Sequence, residues 1–124
     1  MKRDVLMRAL NRDRGTELAH RVRKADTFWK RLRGLQGRPA LPRGEGLWIV
    51  PCRGVHTRGM GFSIDVLFLD AAGRVLSLEE GLEPGRFAPV RWRARTVLEL
   101  PAGQVRESRT QVGDRIEFHA TEES

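Results

Sequence analysis

No disulfide can form within this chain, because Cys52 is its single cysteine. That excludes the stapled scaffolds of small secreted domains and fits a reducing compartment. Long apolar runs are missing as well. No stretch reaches the roughly 18 residues a membrane-crossing helix needs, and the opening MKRDVLMRALNRDRG lacks the apolar centre of a secretory signal. The expected setting is cytoplasmic, with no membrane partner. Aromatics make up only 6% of the chain, and none stands between Arg3, Arg8, Arg12 and Arg14, where stacking on bases would require one. Lysine is scarce, 3 residues against 20 arginines, a skew that reads as coding bias rather than as a phosphate-binding device. There is no internal repeat and no low-complexity segment.

What the chain does have is 124 residues, of which 40% are hydrophobic, enough for one domain with its own core. Its net charge of +7 is uneven. Residues 1–43 hold 13 Lys/Arg and 4 Asp/Glu, a net of +9, whereas residues 44–124 hold 10 and 12, a net of −2. A basic arm on a neutral body is one footprint of nucleic-acid binding, which is kept as an alternative reading.

Along the chain, residues 1–16 show no sustained period and end in turn chemistry, so a basic, partly mobile leader is expected there. A single domain over 17–120 and a fraying tail over 121–124 follow. Glu17–Arg23 alternates as a half-exposed strand and places His20 on the apolar side, where a hydrogen-bonded core histidine is expected. Asp26-Thr27 offers a helix N-cap, and Phe28, Trp29, Leu32 and Leu35 recur at helical spacing, an apolar face for packing on a sheet. Gly34 or Gly37 ends that helix, and Pro39 and Pro42 force an extended loop. Leu47–Val50 and Ile64–Leu69 read as buried strands. Ala71–Arg74 is a hairpin turn into Val75–Leu78, Thr96–Leu100 is a strand, 102–109 holds a short helix, and Arg115–His119 is the last strand. The fold class expected is α+β: a small curled or barrel-like, mostly antiparallel sheet with two short helices.

Four strings in order, GLQGRPALPRGEGLWIVPC, VHTRGMGFSIDVLFLDAAGRV, ARTVLELPAG and VGDRIEF, resemble the uncharacterised bacterial and archaeal family DUF192, from about Glu17 to Phe118. The resemblance implies a small β-rich α+β domain with a barrel-like sheet and no assigned activity. Many members carry Phe-Trp-Met-Lys-Asn-Thr where this chain reads Val55-His56-Thr57-Arg58-Gly59-Met60, while Asp65 matches the family aspartate. The helix-end motif appears as Gly34-Leu35-Gln36-Gly37-Arg38.

The chemistry-bearing residues cluster between Cys52 and Asp65 and again over 86–93. Asp65 sits in an apolar run, so it must meet water, a cation or backbone N–H groups, and Arg58, Arg91 and Arg93 are the arginines expected to pair with it. Cys52 and His56 stand four apart, and with Asp65 they are the candidates for a nucleophilic hydrolase or transferase. One cysteine and three scattered histidines supply no paired zinc spacing, and Gly59 and Gly61 lack the Lys-Ser/Thr of a phosphate loop, so neither metal nor cofactor is expected. The leading reading is a non-catalytic binding module for a small anionic ligand or a protein segment. Its site comprises His56, Thr57, Arg58, Met60, Asp65, Arg91 and Arg93, where the two irregular segments meet.

Overall fold

The computed structural model describes residues 6–121. Its elements in order are β1 (Leu6–Asn11), β2 (Thr16–Ala25), α1 (Phe28–Arg33), β3 (Glu45–Ile49), β4 (Val55–His56), β5 (Ile64–Leu69), β6 (Val75–Leu82), β7 (Phe87–Ala88), β8 (Thr96–Pro101), α2 (Gln104–Glu107) and β9 (Ile116–Ala120). Seven strands form one sheet in the order β6-β5-β8-β3-β2-β1-β9, and β4 pairs with β7 in a separate ribbon. Every pairing is antiparallel except β2 with β3, which α1 connects as a crossover. The sheet curls until its two edges meet. Arg74 at the foot of β6 bridges to Arg115 beside β9, and Ile116 N–H donates to the Gly73 carbonyl at 2.8 Å. Gly73 permits this approach: its φ is +82°, and a Cβ there would stand 2.5 Å from the Ile116 carbonyl oxygen.

All six residues of β5 are buried, and their alternation divides the core in two. Ile64, Val66 and Phe68 join Val97, Ile49, Val55 and Met60 on one face, while Leu67 and Leu69 join Leu98, Leu100, Val105 and Val22 on the other. Each fully buried side chain of this size contributes about 1.5–3 kcal/mol. On β8, Glu99 shares the parity of Val97, so it points into the first cluster; on β5, Asp65 shares the parity of Leu67 and points into the second.

Four expectations need correction. Residues 6–11, assigned to a mobile leader, form β1, flanked on both sides by β2 and β9. The pattern was hidden because Asn11 is a buried polar residue, held by hydrogen bonds from its Nδ2 to Thr110 Oγ1 and Asp114 Oδ2, both 3.0 Å. His20 is exposed, not in the core. The N–H groups of His20 and Arg21 both donate to the Gly44 carbonyl, at 2.9 and 3.0 Å, a bulge that breaks the strand's alternation. The helix begins and ends as expected, with Thr27 Oγ1 accepting from Lys30 N–H and Gly34 at φ +52°. Its apolar face, however, is not buried: Trp29 is 74% and Leu32 55% exposed, and only Leu35, beyond the helix end, enters the core. The six-residue helix is too short to lay a full stripe on the sheet; the Phe28 side chain lies outside the described residues. Finally, Val112-Gly113-Asp114 makes the expected turn, but its strand starts at Ile116.

Candidate functional site

The two irregular segments do meet. Val55 pairs with Ala88 and His56 with Phe87 in the β4–β7 ribbon, and Arg91 N–H donates to the Arg53 carbonyl at 2.8 Å. Thr57 is the pin that holds them. Its hydroxyl accepts from Arg86 N–H at 2.8 Å and donates to the Glu83 carbonyl, and its own N–H reaches the Arg86 carbonyl at 2.8 Å. Thr57 is 0% exposed, so its hydroxyl holds the segment together and presents nothing to a ligand.

Under this ribbon, against the end of α1 and β8, lies a cavity of about 60 Å³. Arg31, Cys52, His56, Met60 and Glu99 supply its functional groups, and Leu35, Ile49 and Val55 its apolar wall. Leu32, Arg33 and His56, on its lining, are exposed. Outside it, Gln36, His56, Arg58, Gly59 and Phe87 line a wider groove of about 380 Å³. His56 and Gln36 belong to both, so they form the wall between them. The His56 and Phe87 rings stand 6.2 Å apart, tilted by 53°. Gln36 is fixed by donating its Nε2 to the Arg58 carbonyl at 3.0 Å.

Two polar atoms of the cavity's lining residues are buried with no hydrogen-bond partner: Arg31 Nε and Glu99 Oε1. Burial, with no compensating cation, pushes the Glu99 carboxyl up to about 8, so it is a neutral acid at pH 7. An unanswered polar group of this kind costs about 1–3 kcal/mol. Cys52 is half-buried; desolvation raises its thiol, Gly54 and Arg31 oppose that, and Glu99 adds to it once ionised above pH 8. Its Sγ donates to the Gly54 carbonyl at 3.0 Å. A thiol held protonated is the reverse of an activated nucleophile. Among the described residues no carboxylate orients His56, and no group of three His, Cys, Asp or Glu side chains could hold a metal ion.

The other anticipated residues lie elsewhere. Asp65 is sealed in the second cluster and takes three backbone N–H groups: Gly81 on Oδ1 at 2.8 Å, and Gly103 and Val105 on Oδ2 at 3.0 and 2.9 Å. None of Arg58, Arg91 or Arg93 reaches it. This carboxylate is a clamp joining β5 to β6 and to the start of α2. Arg91 is spent on structure, with Nε to Ser77 Oγ at 3.1 Å, Nη2 to Glu79 Oε1 at 3.1 Å, Nη1 to the Pro89 carbonyl at 2.8 Å, and its guanidinium 5.1 Å from the Phe68 ring centre. Arg93 is exposed and lines neither the cavity nor the groove. His56 and Met60 line the cavity together with Arg31 and Glu99, and His56 and Arg58 line the outer groove. Glu99 carried the same signal as Asp65, an acid inside an otherwise apolar strand, and could have been singled out on that ground.

The curled, mostly antiparallel sheet with two short helices is a small β-rich fold shared with solved structures. A protein of unknown function from Novosphingobium aromaticivorans superposes with a TM-score of 0.78 at 21% identity, over 92% of this chain and 84% of that one. The chain belongs to the DUF192 family, described as "Uncharacterized ACR", whose model matches residues 9–118. Among curated relatives, a UPF0127 protein of Thermococcus sibiricus is 33% identical over 92% of this chain and 76% of its own length. UPF0127 protein PF1050 of Pyrococcus furiosus is 35% identical over 89% of this chain and 97% of its own. Among the described residues no helix is long and apolar enough to cross a membrane.

Proposed function

We propose that this protein is a non-catalytic binding module that takes the oxyanionic end of a small ligand, a carboxylate first of all, into the cavity beneath His56. The observation that carries this reading is the pair of buried, unpartnered groups lining that cavity, Arg31 Nε and Glu99 Oε1. With Glu99 protonated at neutral pH, both groups can donate, and an anionic oxygen accepts from each. A volume of about 60 Å³ holds a carboxylate and a short stem, since a single water needs roughly 10–15 Å³ on the same measure. The ligand's body then lies in the outer groove against Phe87, with Arg58 beside it.

The anion could also be a peptide's terminal carboxylate. Supporting that second reading, Leu32, Phe87 and Val90 are 55%, 70% and 52% exposed and border the cavity and groove, Val90 through its packing on Gly54. Titration of the full chain with acetate, 3-phenylpropionate and a short peptide ending in Phe, followed by NMR, tests both. Saturable binding at pH 6.5 that weakens at pH 9, and is lost in Arg31→Ala, is expected. Preference for the peptide acid over its C-terminal amide selects the second reading. No saturable binding of any of the three at pH 6.5 would sink the proposal.

A further inference from the structure

Among the described residues, the cations of the first third of the chain fall into two groups. Arg8, Arg12, Arg14 and Arg43 are answered by Glu17, Glu117, Asp114 and Glu107. Arg23 and Arg33, by contrast, make no ion pair or side-chain hydrogen bond among the described residues, and both line one groove of about 300 Å³ between α1 and β2, which adjoins the cavity at Arg33, Gly34 and Leu35. Lys24, Lys30 and Arg38 line it too, and no acidic residue does. Lys24 lies 5.2 Å from the Trp48 ring centre, and Arg38 is held at 3.1 Å by Glu45, which fixes both. The floor is apolar, made by Ala25, Leu35 and Leu47, all of them core residues.

We propose that this groove is a second site, for a ligand of nucleotide size that carries two or more phosphate groups. Five cations line one concavity, Arg38 among them paired with Glu45, and such a concentration of one sign of charge raises the local anion concentration. The apolar floor accommodates a ring that bare phosphate lacks, and about 300 Å³ is at the lower end of small-molecule sites, roughly 300–1,000 Å³. A nucleic-acid strand fits less well, because Arg8, Arg12, Arg14 and Arg43, which would extend a basic track, are each answered by an acid.

The test is calorimetric titration of the full chain with ATP, inorganic tripolyphosphate and a 20-nucleotide single strand at low and at physiological salt. ATP and tripolyphosphate are expected to bind one per chain, ATP the more tightly. Arg23→Glu should weaken ATP about tenfold or more, the loss of one charge-assisted contact, and Arg23→Glu with Arg33→Glu should abolish it. Arg23 is exposed and lines only this groove, and Glu99→Gln should leave ATP binding unchanged, which separates this site from the cavity. The proposal falls if neither phosphate compound binds saturably, if Arg23→Glu has no effect, or if the oligonucleotide binds more tightly than ATP at physiological salt.

Discussion

Replacing Glu99 with glutamine should make the protein more stable, and the gain should depend on pH. In the folded chain the carboxyl is pushed by burial from its ordinary 4.5 to about 8. Below pH 4.5 folded and unfolded chains are both protonated there, and the group exacts nothing through ionisation. As pH rises from 4.5 toward 8 the unfolded chain releases the proton while the folded chain keeps it, so stability falls. At pH 7 the unfolded group is about 2.5 pH units past its midpoint, which at about 1.4 kcal/mol per unit removes about 3 kcal/mol. Above pH 8 both states are ionised and the loss levels off. Glutamine keeps the shape and cannot ionise, though its amide adds a buried donor worth about 1 kcal/mol of cost if it too goes unanswered. The net expectation for Glu99→Gln is therefore a gain of about 2 kcal/mol at pH 7 that turns into a loss of about 1 kcal/mol near pH 4.5, where only the cost of the amide is left. With a urea slope of about 1–3 kcal/mol per molar, the unfolding midpoint should rise by about 1 M. Urea unfolding of both proteins by tryptophan fluorescence, from pH 4.5 to 9, reads this directly. Curves that stay parallel across that range would refute the buried, unanswered state assigned to Glu99.

Asp65→Asn should destabilise by about 3 kcal/mol, because one amide oxygen cannot serve three N–H donors and the new NH2 faces at least one of them; a loss under 1 kcal/mol in the same assay would contradict the clamp. The Cys52 thiol, raised first by desolvation, should alkylate with iodoacetamide at pH 7 more slowly than free cysteine in the same buffer, and faster reaction would reopen the nucleophile reading.

Much of this fold was legible locally. Ile64–Leu69 announced a buried strand through an unbroken apolar run, Ala71–Arg74 a hairpin through Gly73, and Thr27 and Gly34 the limits of α1. What failed depended on partners distant in sequence. β1 was masked because the groups that satisfy Asn11, Thr110 and Asp114, lie about a hundred residues away. A bulge over Gly44 turned His20 outward, and no periodicity in residues 17–23 encodes it. The β4 and β7 strands, two residues each, are shorter than any alternation can reveal. For the site, the meeting of the two irregular segments was anticipated, and with it His56, Arg58 and Met60 at the cavity and groove. Asp65 was read correctly as a carboxylate that must be answered, but its partners are backbone N–H groups brought by β6 and α2, not arginines. Arg31 was out of reach, since it stands between the apolar positions Phe28, Trp29, Leu32 and Leu35 that mark the helix in the sequence.

The most direct test is the titration of the Glu99 side-chain carboxyl by carbon-13 NMR, alone and with saturating 3-phenylpropionate. A midpoint near 8 in the free protein is expected, moving higher when the carboxylate is bound, because the anion favours the protonated acid. An ordinary carboxyl midpoint, or one that the added anion leaves in place, would contradict a cavity built to receive an oxyanion.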